Sequence, residues 1–206
     1  MVLTARRTAL AACREKNILP MVCDLETAED VRHIFDLPVT GNVPRIITFF
    51  GMIPNFEPAT ILPKLASLVR PKDFLLFSAN LAPGKDYGVG MKKILPQYDN
   101  GPTRDWLLTF LWDLGVEKND GELRFEIEMK GGLKRVVANF KLKRARRIEI
   151  EDHVFAFKSG EKIRLFFSYR YTPDRIREIL AAHKLKAHQQ WIAESGEEGV
   201  FLCRKT

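Results

Sequence analysis

The sequence predicts an α/β protein: an open, mainly parallel sheet flanked by helices and interrupted by an antiparallel insertion. Three observations predict it. First, Pro44-Arg-Ile-Ile-Thr-Phe-Phe-Gly-Met-Ile-Pro-Asn-Phe56 runs an apolar strand into a Gly/Pro/Asn turn, and a helical pattern follows. Open α/β sheets present ligand loops in this way, at the carboxyl ends of their strands. Second, the amino-terminal part alternates continuous apolar runs with amphipathic helical segments. Such strands are covered on both faces, as in a parallel sheet. Third, residues 123–171 switch to period two with charged partners (RFEIEMK, RVVANFKLK, RIEIEDHVFAFK, KIRLFFSYRY). That alternation marks antiparallel strands with one solvated face.

The elements follow in order. Residues 4–15 set Ala9, Leu10 and Ala12 among basic residues and predict a helix. The run ILPMVC at 18–23 predicts a short strand closed by Asp24, with a helix near 28–35. Residues 37–44 are rich in turn formers and separate two units. A strand over 45–50 comes next, then a helix over 58–69 with Leu62, Leu65, Ala66 and Val69 on one face, then a strand over 73–78. Residues 82–100 read as a Gly- and Pro-rich loop holding a short helix near 90–95. Residues 104–114 (RDWLLTFLWDL) predict a strongly apolar helix ended by Gly115. Gly131-Gly132 and Ser159-Gly160 punctuate the alternating region, which predicts a meander. Thr172 is a helix N-cap with Pro173 at the first helical position, and the helix reaches about His183. Residues 186–193 and 199–204 close the chain as a strand pair.

At 206 residues and 46% apolar, the chain can bury the core of one domain or one and a half. Its net charge of +7 comes with no dedicated nucleic-acid motif, and anionic small molecules or solubility account for it as well. Nucleic acid is therefore disfavoured as a partner. The densest basic cluster is Lys141, Lys143, Arg144, Arg146 and Arg147. It reads either as a salt-sensitive RNA contact or as the solvated side of the antiparallel region. Cys13, Cys23 and Cys203 are odd in number and contain no CxxC, which argues for reduced, partly buried thiols rather than a disulfide scaffold or zinc site. No apolar run reaches the roughly 18 residues that span a bilayer. The amino terminus is charged too soon for a signal peptide. A cytoplasmic protein without membrane association is expected.

Taken in sequence, four pieces carry a resemblance. Phe50-Gly-Met-Ile-Pro-Asn-Phe56 is similar to a Gly-Ser-Thr-Ile-Gly-Asn-Phe turn, and Gln97-Tyr-Asp-Asn-Gly101 to a Tyr-Asp-Asp segment. Trp106 to Gly115 is similar to a following Leu-rich helix. Gly160-Glu-Lys-Ile-Arg-Leu-Phe-Phe-Ser-Tyr-Arg-Tyr-Thr-Pro173 is similar to a Gly-Glu-x-Ile-Arg-Thr-Glu-x-Ser-x-Lys-Tyr-Thr block. Together, from about Leu3 to Arg204, they resemble the histidine-specific, S-adenosylmethionine-dependent N-methyltransferase family. The resemblance implies a Rossmann-like class I methyltransferase sheet, 1–81 and 172–206, with an inserted antiparallel substrate-binding subdomain, 82–171. It implies S-adenosyl-L-methionine as cofactor and a small amino acid or amine as substrate.

Residue roles come with it. Asp24 matches the acidic position that accepts a hydrogen bond from the adenine amino group, a task for an acceptor-only carboxylate. It is also readable as an ordinary loop or cap aspartate. Leu25 and Gly51 are the other expected cofactor contacts. Asn55 matches the family's substrate-binding asparagine, and Tyr98 the tyrosine that helps place the substrate amine near the methyl group. Ser168 matches a serine near the substrate's imidazole. Without the family, Tyr98 reads as a core tyrosine at a seam and Ser168 as a solvent-facing serine. Phe166 stands where the family has the glutamate that recognises the imidazole. A phenyl ring accepts no N–H, and a site built on such a bond discriminates strongly when it is lost. The expected substrate shifts from histidine to a more apolar or aromatic amine. Pro54 replaces a family glycine and Asn80 an aspartate. No general base and no metal set stands out.

The family's first strand, its glycine-rich loop and its ribose-binding acid have no counterpart in the sequence. Gly88-Val-Gly90 is the one GxG, and it lies in the expected loop rather than between a strand and a helix. The expectation is a shortened member or a fragment, with a central strand missing beside 45–50. The exposed apolar faces would need cover. Either 18–23 pairs with 45–50, or two chains complete each other as a homodimer. A methyltransferase acting on a small amino acid or amine, incomplete and either active or inactive, and a non-catalytic binding remnant of the fold both remain open at this point.

Overall fold

A computed structural model of the chain describes residues 2–15, 18, 20–22, 24–25 and 43–206. They fall into two units, Met1–Val43 and Pro44–Thr206. In the first unit, helix α1 spans Val2–Ala9, and residues 10–12 form a turn closed by Cys13 N–H donating to the Ala9 carbonyl at 2.8 Å. The helix is thus shorter than the expected 4–15. Residues 18 and 20–22 are not in a strand. Pro20 at the middle of that run has no N–H to give a ladder and is tolerated only at strand edges. Leu19, Cys23, the helix expected at 28–35 and most of the turn segment at 37–44 lie outside the described residues.

The second unit opens with β1 (Ile46–Phe49), α2 (Pro58–Leu68) and β2 (Phe74–Asn80). The two strands are parallel, in register from Ile46 opposite Phe74 to Phe49 opposite Phe77. Helix α2 buries Leu62, Leu65 and Ala66 of the expected stripe, and Val69 just beyond its end; Ile61 is buried as well. The last two strands, β8 (Leu185–Ile192) and β9 (Glu198–Lys205), belong to the same sheet, whose order is β1-β2-β9-β8. β9 runs antiparallel to β2, and the register partners Phe77 and Phe201 stack with centroids 5.4 Å apart. Cys203 sits in this core, and burial pushes its thiol up to about 12, so it stays protonated and inert. Cys13 is an exposed free thiol.

The chain leaves the sheet after Asn80 and returns at Tyr171, where an isolated bridge joins Leu81 to Tyr171. Between them lie α3 (Tyr87–Tyr98), α4 (Gly101–Asp113) and five strands. α3 corrects the loop reading of 82–100. Gly88, Gly90 and Pro96 lower local helix propensity, but Asp86 caps the helix, accepting from Val89 N–H at 2.7 Å. Gly90 is there for contact: a Cβ on it would lie 2.4 Å from the Pro83 carbonyl oxygen. The GxG is therefore a packing feature of a helix against the preceding backbone. Gly90→Ala is expected to destabilise the chain by about 1–3 kcal/mol. Propensity alone would stabilise it by about 1 kcal/mol, so the sign of the change in a urea titration decides between the two effects.

Asn100 caps α4, accepting from Thr103 N–H at 3.0 Å, and Gly115 at φ +77° takes the left-handed turn beyond its end. β3 (Gly121–Lys130) and β4 (Leu133–Leu142) form a hairpin over their full length. Gly131 and Gly132, both at positive φ, supply its two-residue turn. The next ladder strand is not the next in sequence. Among the described residues β5 (Arg146–Ile150) and β6 (His153–Phe157) pair only with each other, and β7 (Lys162–Arg170) returns to β4, giving the order β3-β4-β7. The expected meander is thus a three-stranded sheet with a projecting hairpin. The solvated face is also corrected on β4, where Val136, Val137, Ala138 and Phe140 are all buried. Met91 and Ile94 of α3 and Leu107 and Leu111 of α4 pack with Val136, Ala138 and Phe140 on one face. Helix α5 (Pro173–Ala182) follows as expected, Thr172 Oγ1 accepting from Arg175 N–H at 3.2 Å.

Candidate functional site

The turn after β1 stands at the carboxyl ends of the parallel strands, where open α/β sheets bind ligands. Gly51 sits at φ +72°, and its N–H donates to Ser78 Oγ of β2 at 2.9 Å. Among the described residues nothing lies within 4 Å of where its Cβ would be. A short 3₁₀ helix, Ile53–Asn55, follows, with Asn55 N–H on the Met52 carbonyl at 2.9 Å. Ile53 and Pro54 are buried while Asn55 is exposed. Pro54 suits this helix because its fixed φ is helical and its missing N–H has no partner to satisfy. Phe56 leans on Phe49, centroids 6.1 Å apart. The turn is anchored by its apolar side and presents the Asn55 amide outward.

Strand β7 builds a second group. Successive residues of a strand face opposite ways, so Phe166, Ser168 and Arg170 share one face, toward α3. Tyr98, the last residue of α3, lies over them. Its Oη is 3.2 Å from Ser168 Oγ and accepts from Arg170 Nε–H at 3.0 Å. Its ring is 5.7 Å from that of Phe166, and the Arg170 guanidinium stands 5.3 Å from its centroid. Arg170 is only 7% exposed and also donates to the carbonyls of Leu81 at 3.0 Å and Glu197 at 3.1 Å. A guanidinium can only donate. It therefore occupies a lone pair of the Tyr98 oxygen and leaves the phenol proton for Ser168 or a ligand. Ser168 is 2% exposed, so in this arrangement it supports Tyr98. Tyr98 and Phe166, both half-buried, form the accessible surface.

Glu57, which follows the Asn55 turn, meets the other face of β7. Glu57 accepts from Arg135 Nη1 at 2.8 Å, Tyr169 Oη at 2.8 Å and Lys130 Nζ at 3.0 Å. Arg135 is 4% exposed and also pairs with Glu128 at 3.0 Å. Burial alone would raise the Glu57 carboxyl, but hydrogen bonds from Lys130, Tyr169 and Arg135 outweigh it and hold the group below its ordinary value. Burial, and then the Glu57 carboxylate it donates to, pushes the Tyr169 phenol up to about 12. The structure thus brings Tyr98, Phe166 and Ser168 together. Among the described residues no hydrogen bond joins the Asn55 side chain to them. Asp24, exposed, and Leu25, half-buried in a turn, belong to the first unit, whereas Gly51 belongs to the second.

Two members of the basic cluster, Arg144 and Arg146, pair with acids, while Lys141, Lys143 and Arg147 are exposed. Asp120 is fully buried and holds both Arg144 and Arg146, the latter at 2.6 Å, and Arg144 also reaches Glu117 at 3.0 Å. These pairs tie the root of the β5–β6 hairpin and favour the structural reading of the cluster. Among the described residues no group of His, Cys, Asp and Glu could hold a metal ion, and no helix is long and apolar enough to cross a membrane.

The model of one protein family, described as histidine-specific methyltransferase, SAM-dependent, matches residues 2–205. The chain belongs to this family. Its mixed sheet, with parallel β1 and β2 and an antiparallel terminal pair, is of the Rossmann-like α/β class that the sequence predicts. No curated protein sequence matches the chain. Among solved structures, the CcbJ methyltransferase from Streptomyces caelestis is 10% identical, with 100% of this chain and 75% of that chain covered and a TM-score of 0.45. An S-adenosylmethionine-dependent methyltransferase from Clostridium acetobutylicum is 10% identical, with 97% and 70% covered and a TM-score of 0.41. The glycopeptide N-methyltransferase MtfA, complexed with S-adenosylmethionine, is 14% identical, with 99% and 73% covered and a TM-score of 0.39.

S-adenosyl-L-methionine is the family's cofactor. When bound it supplies a methyl group already activated on a sulfonium sulfur. Among the described residues, Gly51 at positive φ beyond β1 leaves room beside its backbone for such a group. Arg170, Glu57, Arg135 and Tyr169 had no assigned role in the sequence reading. For Arg170 a signal existed: it is two residues beyond Ser168 and so shares its face. For Glu57 and Arg135, 78 residues apart, there was none.

Proposed function

We propose that this chain transfers the methyl group of S-adenosyl-L-methionine to the nitrogen of a small amine or amino acid with an apolar or aromatic side. The observation that carries this reading is Phe166 packed on the Tyr98 ring, where the family resemblance places an imidazole-recognising glutamate. An acceptor ring can stack on Phe166, whereas an imidazole N–H there would lose its partner. On the family resemblance alone, Asn55, exposed on the turn after β1, takes the polar end of the acceptor. Tyr98, held by Arg170 and Ser168, orients the amine through its hydroxyl. The neutral nitrogen forms the new C–N bond with its lone pair as the C–S bond breaks and its electrons stay on sulfur. The resulting ammonium then gives its proton to solvent. No side-chain base is required, and orientation supplies much of the rate.

The test has two stages. Calorimetry with S-adenosylmethionine and S-adenosylhomocysteine should show binding. Transfer of a labelled methyl group should then favour phenethylamine and tyramine over histidine, with phenylalanine as the amino-acid probe. No heat at millimolar ligand and no labelled product from any of the four would refute the reading and leave a non-catalytic binding module.

A further inference from the structure

The turn that carries Asn55 is short, and its internal bonds are modest. Asn55 N–H meets the Met52 carbonyl at 2.9 Å and Phe56 N–H meets the Ile53 carbonyl at 3.3 Å. Its place therefore depends on how its ends are held. The leading end is tied by Gly51 to Ser78. The trailing end is Glu57, which occupies the N-cap position of α2 yet makes no side-chain cap. Glutamate is not among the favoured N-cap residues, which are Ser, Thr, Asp and Asn. What its longer side chain does instead is reach the far sheet, where it collects Arg135, Tyr169 and Lys130.

That far side is rigid. The Arg135 guanidinium stands 5.2 Å from the Phe167 ring centroid and 5.5 Å from that of Tyr169. Its Nη2 and Nε also donate to Glu128, at 3.0 and 3.2 Å. A planar fork fixed on two rings and a second carboxylate is a firm anchor for Glu57. We infer that Glu57 is a positioning residue: through Arg135 and Tyr169 it fixes the Asn55 turn against the β3-β4-β7 sheet and so sets the acceptor site. Asn55 lies two residues before it, so a shift of this anchor moves the amide directly. The inference rests on the reading of Asn55 as an acceptor ligand.

The test uses the full chain and two readouts. In hydrogen exchange, Glu57→Gln should speed exchange of the Asn55 and Phe56 amides by about tenfold, the scale of one lost charge-assisted bond, with the β2 and β4 amides unchanged. Tyr169→Phe, which unpairs no charge, should act in the same direction by about threefold. In methyl transfer with the best acceptor of the panel above, Glu57→Gln should raise KM about tenfold with kcat within about twofold. Asn55→Ala should raise KM as well, and the double variant should be no worse than Asn55→Ala, as coupled residues require. Unchanged exchange at Asn55 and Phe56, acceleration spread over all strands, or KM effects that simply add would each overturn the inference. If the panel yields no methylated product the functional reading falls by itself, and the exchange pattern still decides whether Glu57 fixes the turn.

Discussion

Replacing Asp73 by asparagine is expected to cost this protein about 3–5 kcal/mol, the loss found when one partner of a buried ion pair is removed. Asp73 is 1% exposed at the entry to β2. Its carboxylate accepts from Arg45 Nε at 2.9 Å, Arg45 N–H at 3.0 Å and Arg70 N–H at 2.9 Å. Arg45 in turn donates to the Leu68 carbonyl at 2.8 Å. One carboxylate therefore joins the start of β1, the end of α2 and the loop before β2. Asparagine offers one oxygen where two served, and turns an NH₂ toward donors. At 2–4 °C per kcal/mol for a chain of this size, the melting midpoint should fall by roughly 10 °C. A change below about 1 kcal/mol would show that the pair contributes little.

The same residue carries a pH signature. Burial would raise the Asp73 carboxyl, but hydrogen bonds from Arg45 and from the Arg70 and Arg45 backbone outweigh it and hold the group below its ordinary 3.8. Asp120 behaves alike, burial being overcome by the Glu117 N–H and Arg144. A depressed carboxylate contributes stability above its unfolded value and loses it as pH falls through the folded one. Stability should therefore fall steeply below about pH 4, and the slope should be shallower in Asp73→Asn. Equal slopes in the two proteins would contradict the assignment.

Phe166→Glu is expected to move acceptor preference toward histidine by about 10–100-fold relative to phenethylamine. That is the scale of one satisfied against one unsatisfied buried polar group. The new carboxylate would accept an imidazole N–H beside the Tyr98 ring, on which Phe166 now packs. Stacking on the phenyl ring would be lost at the same time. The ratio of kcat/KM values measures the shift, because it cancels a common loss of folded protein. An unchanged ratio would mean that position 166 does not face the acceptor.

Much of this was legible from local pattern. The runs around β1, β2 and α2 announce themselves by apolar period, and the cap at Thr172 and the turn at Gly131-Gly132 by residue type. Family membership was readable from the Gly160 to Pro173 block. Local pattern misled at α3, where Gly90 answers to the backbone of Pro83 and not to helix propensity. It misled again after β4, because alternation says that a segment is a strand but not which strand it joins. The alignment of Phe166, Ser168 and Arg170 followed from period two. Their meeting with Tyr98, some 70 residues earlier, did not.

The amino-acid order by itself determined the element types, the family and the chemical character of position 166, since these depend on neighbours within a few residues or on a linear motif. Only the tertiary structure decided that β7 pairs with β4 and not with the β5–β6 hairpin that precedes it. It also decided that Ser168 serves Tyr98 from the interior and that Glu57 bolts the Asn55 turn to Arg135. Those outcomes belong to side chains far apart along the chain, whose partners are chosen by burial and by the need to pair every charge that burial traps.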